Sequence, residues 1–240
     1  MMLQVKNVSR RFGGNDALKD ISFSIDDGEL VGLIGPNGSG KSTLVNVVSG
    51  VLHPTRGAVL FRNLDITSAR TARIVRLGIS RNFQSPRLFW ELTVRKNMEI
   101  AELEFSQGCE MMHRFIDAHL PNLKARLESP AQTLSLFEQK KLEIALRLAS
   151  RPSLLLLDEP AAGLSPNEQD ELILVLKAVN AAPCAVLVIE HSMAVIFQTC
   201  RRVLVLRGGV LIADDEPAAI ARNEAVIEAY LGPGAMELLR

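Results

Sequence analysis

Residues 35–43 read Gly-Pro-Asn-Gly-Ser-Gly-Lys-Ser-Thr, and this stretch constrains the fold more than any other part of the chain. It matches the pattern GxxxxGK[ST], with a short apolar run before it and an apolar-periodic segment after it. The glycines let the backbone turn tightly between a buried strand and a helix, so that successive N–H groups converge on one spot. The sequence therefore predicts a strand–loop–helix unit that holds the phosphates of a nucleoside triphosphate.

Each residue of this loop is a candidate for nucleotide binding. The candidates are Gly35, Pro36, Asn37, Gly38, Ser39, Gly40, Lys41, Ser42 and Thr43. We expect Lys41 to reach the β- and γ-phosphates and the Ser42 hydroxyl to ligate Mg²⁺. The alternative is a glycine-rich turn without a ligand, and the strand and helix patterns on either side argue against it.

The composition is that of an ordinary globular protein, with 48% hydrophobic and 22% charged residues and a net charge of zero. Because the chain has no excess of basic residues, its composition does not indicate nucleic acid as a partner. Cys109, Cys184 and Cys200 are odd in number and lack CxxC spacing, so neither a disulfide framework nor a zinc site is expected. The longest apolar runs, residues 154–157 and 185–189, are far too short to span a bilayer, and no signal segment opens the chain. Any membrane role is therefore expected to come through a partner, and the chain is expected to be cytoplasmic.

The order of the periodic segments predicts an α/β fold. Strands are predicted at residues 3–5, 21–25, 30–34, 58–61, 78–83, 153–157, 185–189, 203–206 and 210–213. Helices are predicted from the loop to about residue 51 and at residues 69–76, 91–103, 111–127, 139–149 and 167–181. Strands that alternate with helices indicate a mostly parallel sheet covered on both faces. Residues 87–150 are helical in character and are predicted to form a subdomain inserted into a core of residues 1–86 and 151–240.

Two adjacent carboxylates end the apolar run at residues 154–157. An apolar strand has no structural use for the charges of Asp158 and Glu159, because unpaired burial is costly. The carboxyl ends of parallel strands are where α/β proteins bind ligands. We expect Asp158 to hold Mg²⁺ directly or through water and Glu159 to polarise the attacking water. The alternative is that both charges serve the N-terminus of the next helix.

Three further polar or aromatic residues are less specific signals than the acidic pair. His191 follows the strand at residues 185–189 and is either a surface residue or a contact to the γ-phosphate, and its strand-end position favours the second. Gln84 is an ordinary loop residue as far as spacing can tell. Phe12 is either a core aromatic or an exposed ring that stacks on adenine.

These segments, in this order, resemble the ATP-binding subunits of ABC transporters over essentially the whole chain. The matching positions are Phe12, residues 35–43, Gln84, residues 135–139, Asp158 with Glu159, residues 163–166 and His191. The resemblance implies that Gln84 contacts Mg²⁺ and water, that Phe12 stacks on adenine, and that Ser135 contacts the γ-phosphate bound by a partner chain. It implies a single ATPase domain, a P-loop NTPase core with an antiparallel β edge and an inserted helical subdomain.

Within that family the chain looks closest to the ATPases of branched-chain amino acid importers. The stretches that carry this likeness are Arg10-Arg-Phe-Gly-Gly14, Leu77-Gly-Ile-Ser-Arg-Asn-Phe-Gln84, Arg87-Leu-Phe, Lys141-Leu-Glu-Ile-Ala145, Asp158-Glu-Pro-Ala-Ala-Gly-Leu-Ser-Pro166, Ile189-Glu-His-Ser-Met193 and Ala229-Tyr-Leu-Gly232. The resemblance implies ATP and Mg²⁺ as ligands and hydrolysis as the reaction. It also implies two membrane permease subunits, a second ATPase subunit in a heterodimer (or a homodimer), an extracytoplasmic binding protein, and a peripheral location on the cytoplasmic face of the membrane.

Two other functions stay open at this stage: the ATPase of another ABC transporter, with lipopolysaccharide, urea or amide cargo, and a nucleotide-sensing regulatory module. The second arises from residues 134–139, Leu-Ser-Leu-Phe-Glu-Gln, where the family signature has glycine and this chain has Phe137. A side chain there can obstruct close backbone approach to a ligand. Three interpretations of this segment stay open. It is a weakened signature that still works, a silent signature in an asymmetric dimer, or a substitution that the structure accommodates without loss of function. Ser135 and Glu138 also predict a capping box at the start of a helix.

Overall fold

A computed structural model describes residues 1–82, 86–105, 109–181 and 184–231. Its strands are β1 (Leu3–Phe12), β2 (Asn15–Ile25), β3 (Leu30–Ile34), β4 (Arg56–Phe61), β5 (Leu64–Asp65), β6 (Ile79–Arg81), β7 (Leu154–Asp158), β8 (Ala185–Ile189), β9 (Arg202–Arg207) and β10 (Val210–Asp215). Its helices are α1 (Lys41–Val48), α2 (Thr71–Leu77), α3 (Val94–Glu104), α4 (Cys109–His119), α5 (Pro121–Lys124), α6 (Leu136–Leu148), α7 (Pro166–Ala181), α8 (Met193–Thr199), α9 (Pro217–Ile220) and α10 (Glu224–Leu231).

The larger sheet has the order β10-β9-β3-β8-β7-β6, and all its neighbours are parallel except β10 with β9. Every residue of β3, β7 and β8 is buried, because helices or the second sheet cover both faces. Side chains alternate between two cores: Leu155 and Leu157 of β7 enter one, and Leu154 and Leu156 enter the other. The predicted α/β fold with a mostly parallel sheet is confirmed.

A second, antiparallel sheet has the order β2-β1-β4-β5. Its apolar face packs with α1 and one face of the larger sheet in a shared core. β1 and β2 are longer than predicted and pair as far as Phe12 with Asn15, at the tip of the hairpin. Phe12 is thus the last residue of β1, whereas the predicted strand ended at residue 5.

Helices α3 to α6 lie in sequence between β6 and β7, and their apolar side chains share a core with the larger sheet. One predicted helix, residues 111–127, is wrong in extent: α4 ends at His119 and α5 begins at Pro121. Proline has no N–H to donate to the preceding turn, so it interrupts the helix and occupies the first position of the next one. α6 begins at Leu136, three residues before the predicted start.

The sequence patterns missed the short helices α8, α9 and α10. They contain 7, 4 and 8 residues, which is about two turns or fewer. A segment of that length shows too few apolar positions to reveal a helical period.

Among the residues that the structure describes, no helix is both long enough and apolar enough to cross a bilayer. The longest, α7, has 16 residues, whereas a spanning helix needs about 20 apolar ones.

Neighbouring residues of α6 provide a test of the packing. Phe137 is 4% exposed and lies in the core, whereas Leu136 is 41% exposed. We expect Phe137→Ala to lower the free energy of unfolding by about 3–5 kcal/mol, because the substitution leaves a cavity. Leu136→Ala is the matched control and should cost less than about 1 kcal/mol. Urea unfolding followed by circular dichroism measures both, and equal losses would show that Phe137 does not pack as described.

Candidate functional site

The loop between β3 and α1 is held in a backbone shape that only glycine allows at two positions. Gly35 has a φ of +151°, and a Cβ there would collide with the backbone oxygen of Leu206. Gly40 has a φ of +107°, and a Cβ there would lie 2.7 Å from the carbonyl oxygen of Ala17. The loop is therefore closely fitted against β2 and β9, which fixes the direction of its N–H groups.

A cleft of about 630 Å³ opens over this loop. Its lining residues are Asn15, Asp16, Ala17, Lys19, Asn37, Gly38, Ser39, Gly40, Lys41, Ser42, Thr43, Glu159, His191, Gly208 and Gly209. They come from the loop, from the segments that follow β7 and β8, from the start of β2, and from the turn of the β9–β10 hairpin. The cleft thus brings together Lys41, Ser42, Glu159 and His191, four of the candidate residues named from the sequence. It also includes residues of β2 and of the β9–β10 hairpin, which the sequence did not indicate.

Lys41, the first residue of α1, provides a buried cation next to the loop. Its Nζ donates hydrogen bonds to the carbonyl oxygens of Gly35, at 2.7 Å, and Pro36, at 3.0 Å. Burial lowers the pKa of the Lys41 ammonium, while the charges of Glu159 and Asp158 oppose that shift. An ammonium whose present partners are neutral carbonyls is suited to exchange them for phosphate oxygens.

Asp158 is 3% exposed at the end of β7, and its two carboxylate oxygens have different surroundings. Oδ2 accepts a hydrogen bond from Arg81 at 2.7 Å, whereas Oδ1 accepts none from the residues that the structure describes. The backbone N–H of Asp158 donates to Oδ1 of Asn82 at 2.6 Å. A buried, available carboxylate oxygen and the Ser42 hydroxyl are the kind of ligands that Mg²⁺ prefers, so the residues present fit that cation.

Glu159 turns away from the strand and meets His191. It has a φ of +50°, and its N–H donates to the carbonyl oxygen of Ile189 at 2.8 Å. Its Oε1 lies 3.2 Å from Nε2 of His191, and the side chains are 24% and 42% exposed, respectively. Glu159 and His191 thus face the cleft together, while Asp158 stays buried.

Two other predicted site residues, Phe12 and Ser135, are not among those that line this cleft. Phe12 is 45% exposed, so the core alternative is wrong, and the Arg10 guanidinium lies 4.6 Å from its ring centroid. Ser135 is exposed at the start of α6. Gln84 lies outside the described residues, as does Phe83, where the strand predicted at residues 78–83 ends.

The predicted capping box at α6 is confirmed. The Ser135 hydroxyl accepts from the N–H of Glu138 at 3.2 Å, and the Glu138 carboxylate accepts from the N–H of Ser135 at 2.8 Å. The Phe137 ring points into the core, where Nζ of Lys141 lies 4.0 Å from its centroid. The ring therefore does not cover the exposed start of the helix. This favours the interpretation that the structure accommodates Phe137 over the one in which its side chain obstructs a ligand.

Two buried charges behind Glu159 were missed at the sequence level. Nζ of Lys140 donates to the carbonyl oxygens of Glu159, at 3.2 Å, and Pro160, at 2.9 Å. The Glu190 carboxylate accepts from the N–H groups of Ala161 and His191. Burial raises the pKa of Glu190 and lowers that of Lys140. Glu190 had a usable signal, because it ends an apolar strand just as Asp158 does.

Together these groups are suited to phosphoryl chemistry. An N–H-lined loop and Lys41 can bind a polyanion, and Asp158 can hold a divalent cation. Glu159 and His191 can orient and deprotonate a water molecule at the open side of the cleft.

Comparison with known proteins agrees with this geometry. A family model described as ABC transporter matches residues 18–162, which include the loop and the acidic strand end. The chain belongs to the ABC transporter family. A second model, described as branched-chain amino acid ATP-binding cassette transporter, matches residues 210–232 of this ABC subunit.

Relatives of this ABC subunit match over nearly their whole length. It is 34% identical over 249 residues to the high-affinity branched-chain amino acid transport ATP-binding protein BraF of Pseudomonas aeruginosa, covering 96% of this chain and 98% of the relative. It is 29% identical over 251 residues to a probable branched-chain amino acid transport ATP-binding protein, LivG, of Methanocaldococcus jannaschii, covering 96% and 97%.

Solved structures of ABC cassettes share its fold. The ADP conformation of one cassette has a TM-score of 0.87 at 30% identity and covers 96% of this chain and 98% of that one. A nucleotide-free cassette has a TM-score of 0.85 at 29% identity, covering 95% and 98%. The predicted P-loop NTPase fold is confirmed, and the chain is an ABC-type ATPase that binds ATP or ADP.

The buried Glu190 carboxyl gives stability a pH dependence. Its pKa is raised above the ordinary 4.5, so the folded chain retains the proton to higher pH than the unfolded chain does. Its contribution to stability is full below pH 4.5 and declines as the pH rises through the folded-state pKa. We therefore expect the free energy of unfolding of the wild type, relative to that of Glu190→Gln, to fall from about pH 5 to about pH 8.

Urea unfolding at the two pH values measures that difference. Glu216→Gln, at an exposed carboxylate, is the control and should show the same difference from wild type at both. A wild type that gains stability relative to Glu190→Gln as the pH rises would contradict the raised pKa of Glu190.

Proposed function

We propose that this chain is the ATP-hydrolysing subunit of an importer for branched-chain or related amino acids. The observation that carries the hydrolytic part is the meeting of Glu159 and His191 above the phosphate loop in one cleft. The cargo rests on the match of residues 210–232 to the branched-chain amino acid cassette model and on the names of the full-length relatives.

Nucleotide binding begins at the loop. Its N–H groups and the N-terminus of α1 hold the phosphates, and Nζ of Lys41 leaves the carbonyls of Gly35 and Pro36 for the β- and γ-phosphate oxygens. Phe12 stacks on the adenine ring, which its exposure permits. Ser39 is 2% exposed, and its main chain supports the loop, because its carbonyl oxygen accepts from the N–H of Gly209 at 3.0 Å.

Three side chains are proposed to hold Mg²⁺: Ser42, Asp158 and Gln84. The available Oδ1 of Asp158 supports this assignment. The bound cation would neutralise charge on the β- and γ-phosphate oxygens.

Hydrolysis uses the open end of the site. Glu159 accepts a proton from the water that attacks the γ-phosphorus, and the bond to the β-phosphate oxygen breaks to give ADP and phosphate. His191 holds Oε1 of Glu159 through Nε2 and contacts the γ-phosphate. Lys140 and Glu190 fix the backbone on which both side chains stand.

The working unit is proposed to be a dimer with a second, different ATPase subunit, and a homodimer is the alternative. Ser135 and the N-terminus of α6 face the γ-phosphate bound by the partner, and Phe137 does not obstruct them, because its ring is buried. The dimer works on two permease subunits from the cytoplasmic face of the membrane, and a binding protein delivers cargo on the other side. No nucleic acid takes part.

The role of Glu159 is tested by Glu159→Gln. We expect hydrolysis to fall at least about 100-fold, while ATP binding is retained, because the amide cannot accept the proton. Release of phosphate is measured for the chain alone and mixed with its partner ATPase, with Glu216→Gln as control. Turnover only in the mixture supports the heterodimer, and turnover that survives Glu159→Gln would overturn the assignment.

The adenine contact is tested by Phe12→Ala. A lost stacking contact is worth about 1–3 kcal/mol, so ATP should bind at least about fivefold more weakly. Because the ring is remote from the γ-phosphate, turnover at saturating ATP should stay within about twofold of wild type. Leu64→Ala, at another exposed apolar residue of the same sheet, is the control. A drop in saturated turnover with unchanged binding would contradict stacking.

The cargo is tested in liposomes with the cognate permeases and binding protein. Uptake of radiolabelled leucine that depends on ATP and on Glu159 is the expected result. Uptake of urea or short amides in place of leucine would show that the chain serves a different importer. It would not contradict the proposed ATPase activity.

A further inference from the structure

Arg81, the last residue of β6, joins the two halves of the nucleotide site. Its Nη2 donates to Oδ2 of Asp158 at 2.7 Å, and its Nη1 donates to Oδ1 of Asn46, on α1, at 2.6 Å. The side chains of Arg81 and Asp158 are 12% and 4% exposed. Its guanidinium is thus a nearly buried link between the helix that follows the phosphate loop and the acidic strand.

The neighbouring residue fixes the backbone of the same aspartate. Oδ1 of Asn82 accepts from the N–H of Asp158 at 2.6 Å, and the N–H of Asn82 donates to the carbonyl oxygen of Leu156 at 3.1 Å. The end of β6 therefore holds Asp158 at both its main chain and its side chain. One carboxylate oxygen is held by Arg81, and the other is available.

We propose that Arg81 is a positioning residue that presents Oδ1 of Asp158 to a divalent cation and screens its charge, so that the cation binds with the nucleotide and not before it. This inference rests on the proposed role of Asp158 in the ATPase. A guanidinium suits the task, because its planar fork bonds two partners at once and it stays charged.

The electrostatic argument fixes the sign of the effect. A divalent cation that arrives alone meets the neutral ion pair of Arg81 and Asp158 and, nearby, the opposite charges of Lys41 and Glu159. When ATP is bound, the cation also meets phosphate oxygens, which supply the missing negative charge. Without Arg81 the buried carboxylate is uncompensated, which favours a cation at Asp158 and disfavours ATP that arrives without one.

Binding of Mn²⁺, used as a spectroscopic substitute for Mg²⁺, tests this sign. Electron paramagnetic resonance measures Mn²⁺ bound to the purified full-length chain with and without ATP, and a fluorescent ATP analogue measures nucleotide affinity with and without Mg²⁺. The wild type should bind Mn²⁺ only with nucleotide. Arg81→Gln should bind Mn²⁺ without nucleotide at least about tenfold more tightly than wild type, and its nucleotide affinity should depend more steeply on Mg²⁺.

Three variants separate charge from fold. Arg81→Lys keeps the charge but not the fork, so its nucleotide-free Mn²⁺ binding should stay like wild type. Arg81→Gln/Asp158→Asn should lose the new Mn²⁺ site, which places that site on Asp158. Arg76→Gln, at an exposed arginine of α2, removes a charge elsewhere and should change neither measurement.

Several results would overturn the proposal. One is Mn²⁺ binding to Asp158 of the wild type without nucleotide, a measurement that needs no variant to fold. Another is a folded Arg81→Gln chain with wild-type Mn²⁺ binding and Mg²⁺ dependence, which would reduce Arg81 to a structural ion pair. A chain that binds no ATP at all would instead refute the proposed function.

Discussion

Parallel pairing of β3, β8 and β7 is the constraint on which the site depends. The register aligns Leu33 with Ile189, and Ile189 with Asp158, so three strands end at one edge of the sheet. Each segment after these ends carries a different group: the phosphate loop, His191, and the acidic pair. Residues far apart in sequence therefore meet in one cleft because their strands are hydrogen-bonded neighbours.

Burying charge at that edge requires partners, and the structure supplies them from outside the three strands. Arg81 of β6 pairs with Asp158, and Lys140 of α6 holds the carbonyls around Glu159. Glu190 joins the chain after Glu159 to the chain at His191. Because an unpaired buried charge is costly, these contacts both stabilise the edge and set the direction of each side chain that faces the cleft.

α6 serves two purposes at its two sides. Its buried side carries Lys140 toward the acidic strand end and Phe137 into the core. Its exposed start, capped by Ser135 and Glu138, forms independently of any ligand. A helix start that is complete by itself tolerates a large residue at a position where the family has glycine, provided that the side chain turns inward.

Much of the fold was predictable, because long apolar-periodic segments reveal their type. The buried strands β3, β7 and β8 were found at nearly their observed bounds. The predicted helix at residues 111–127 is too long, because the apolar spacing continues through the break at Pro121. The short helices after β8 contain too few residues to show a helical period. Local signals thus identify elements reliably only when several turns or residues repeat the same period.

The sequence by itself determined the phosphate loop, the acidic pair and His191 as candidates. The loop is a contiguous motif, and the acidic pair and His191 each stand at or just after the end of an apolar strand. Only the tertiary structure decided that Phe137 is buried, that Phe12 is exposed, and that Arg81 leaves one oxygen of Asp158 available. Those facts depend on which distant segments become neighbours. A charged residue such as Arg81 or Lys140 has no periodic signature that names its partner, so its role appears only when the chain has folded around it.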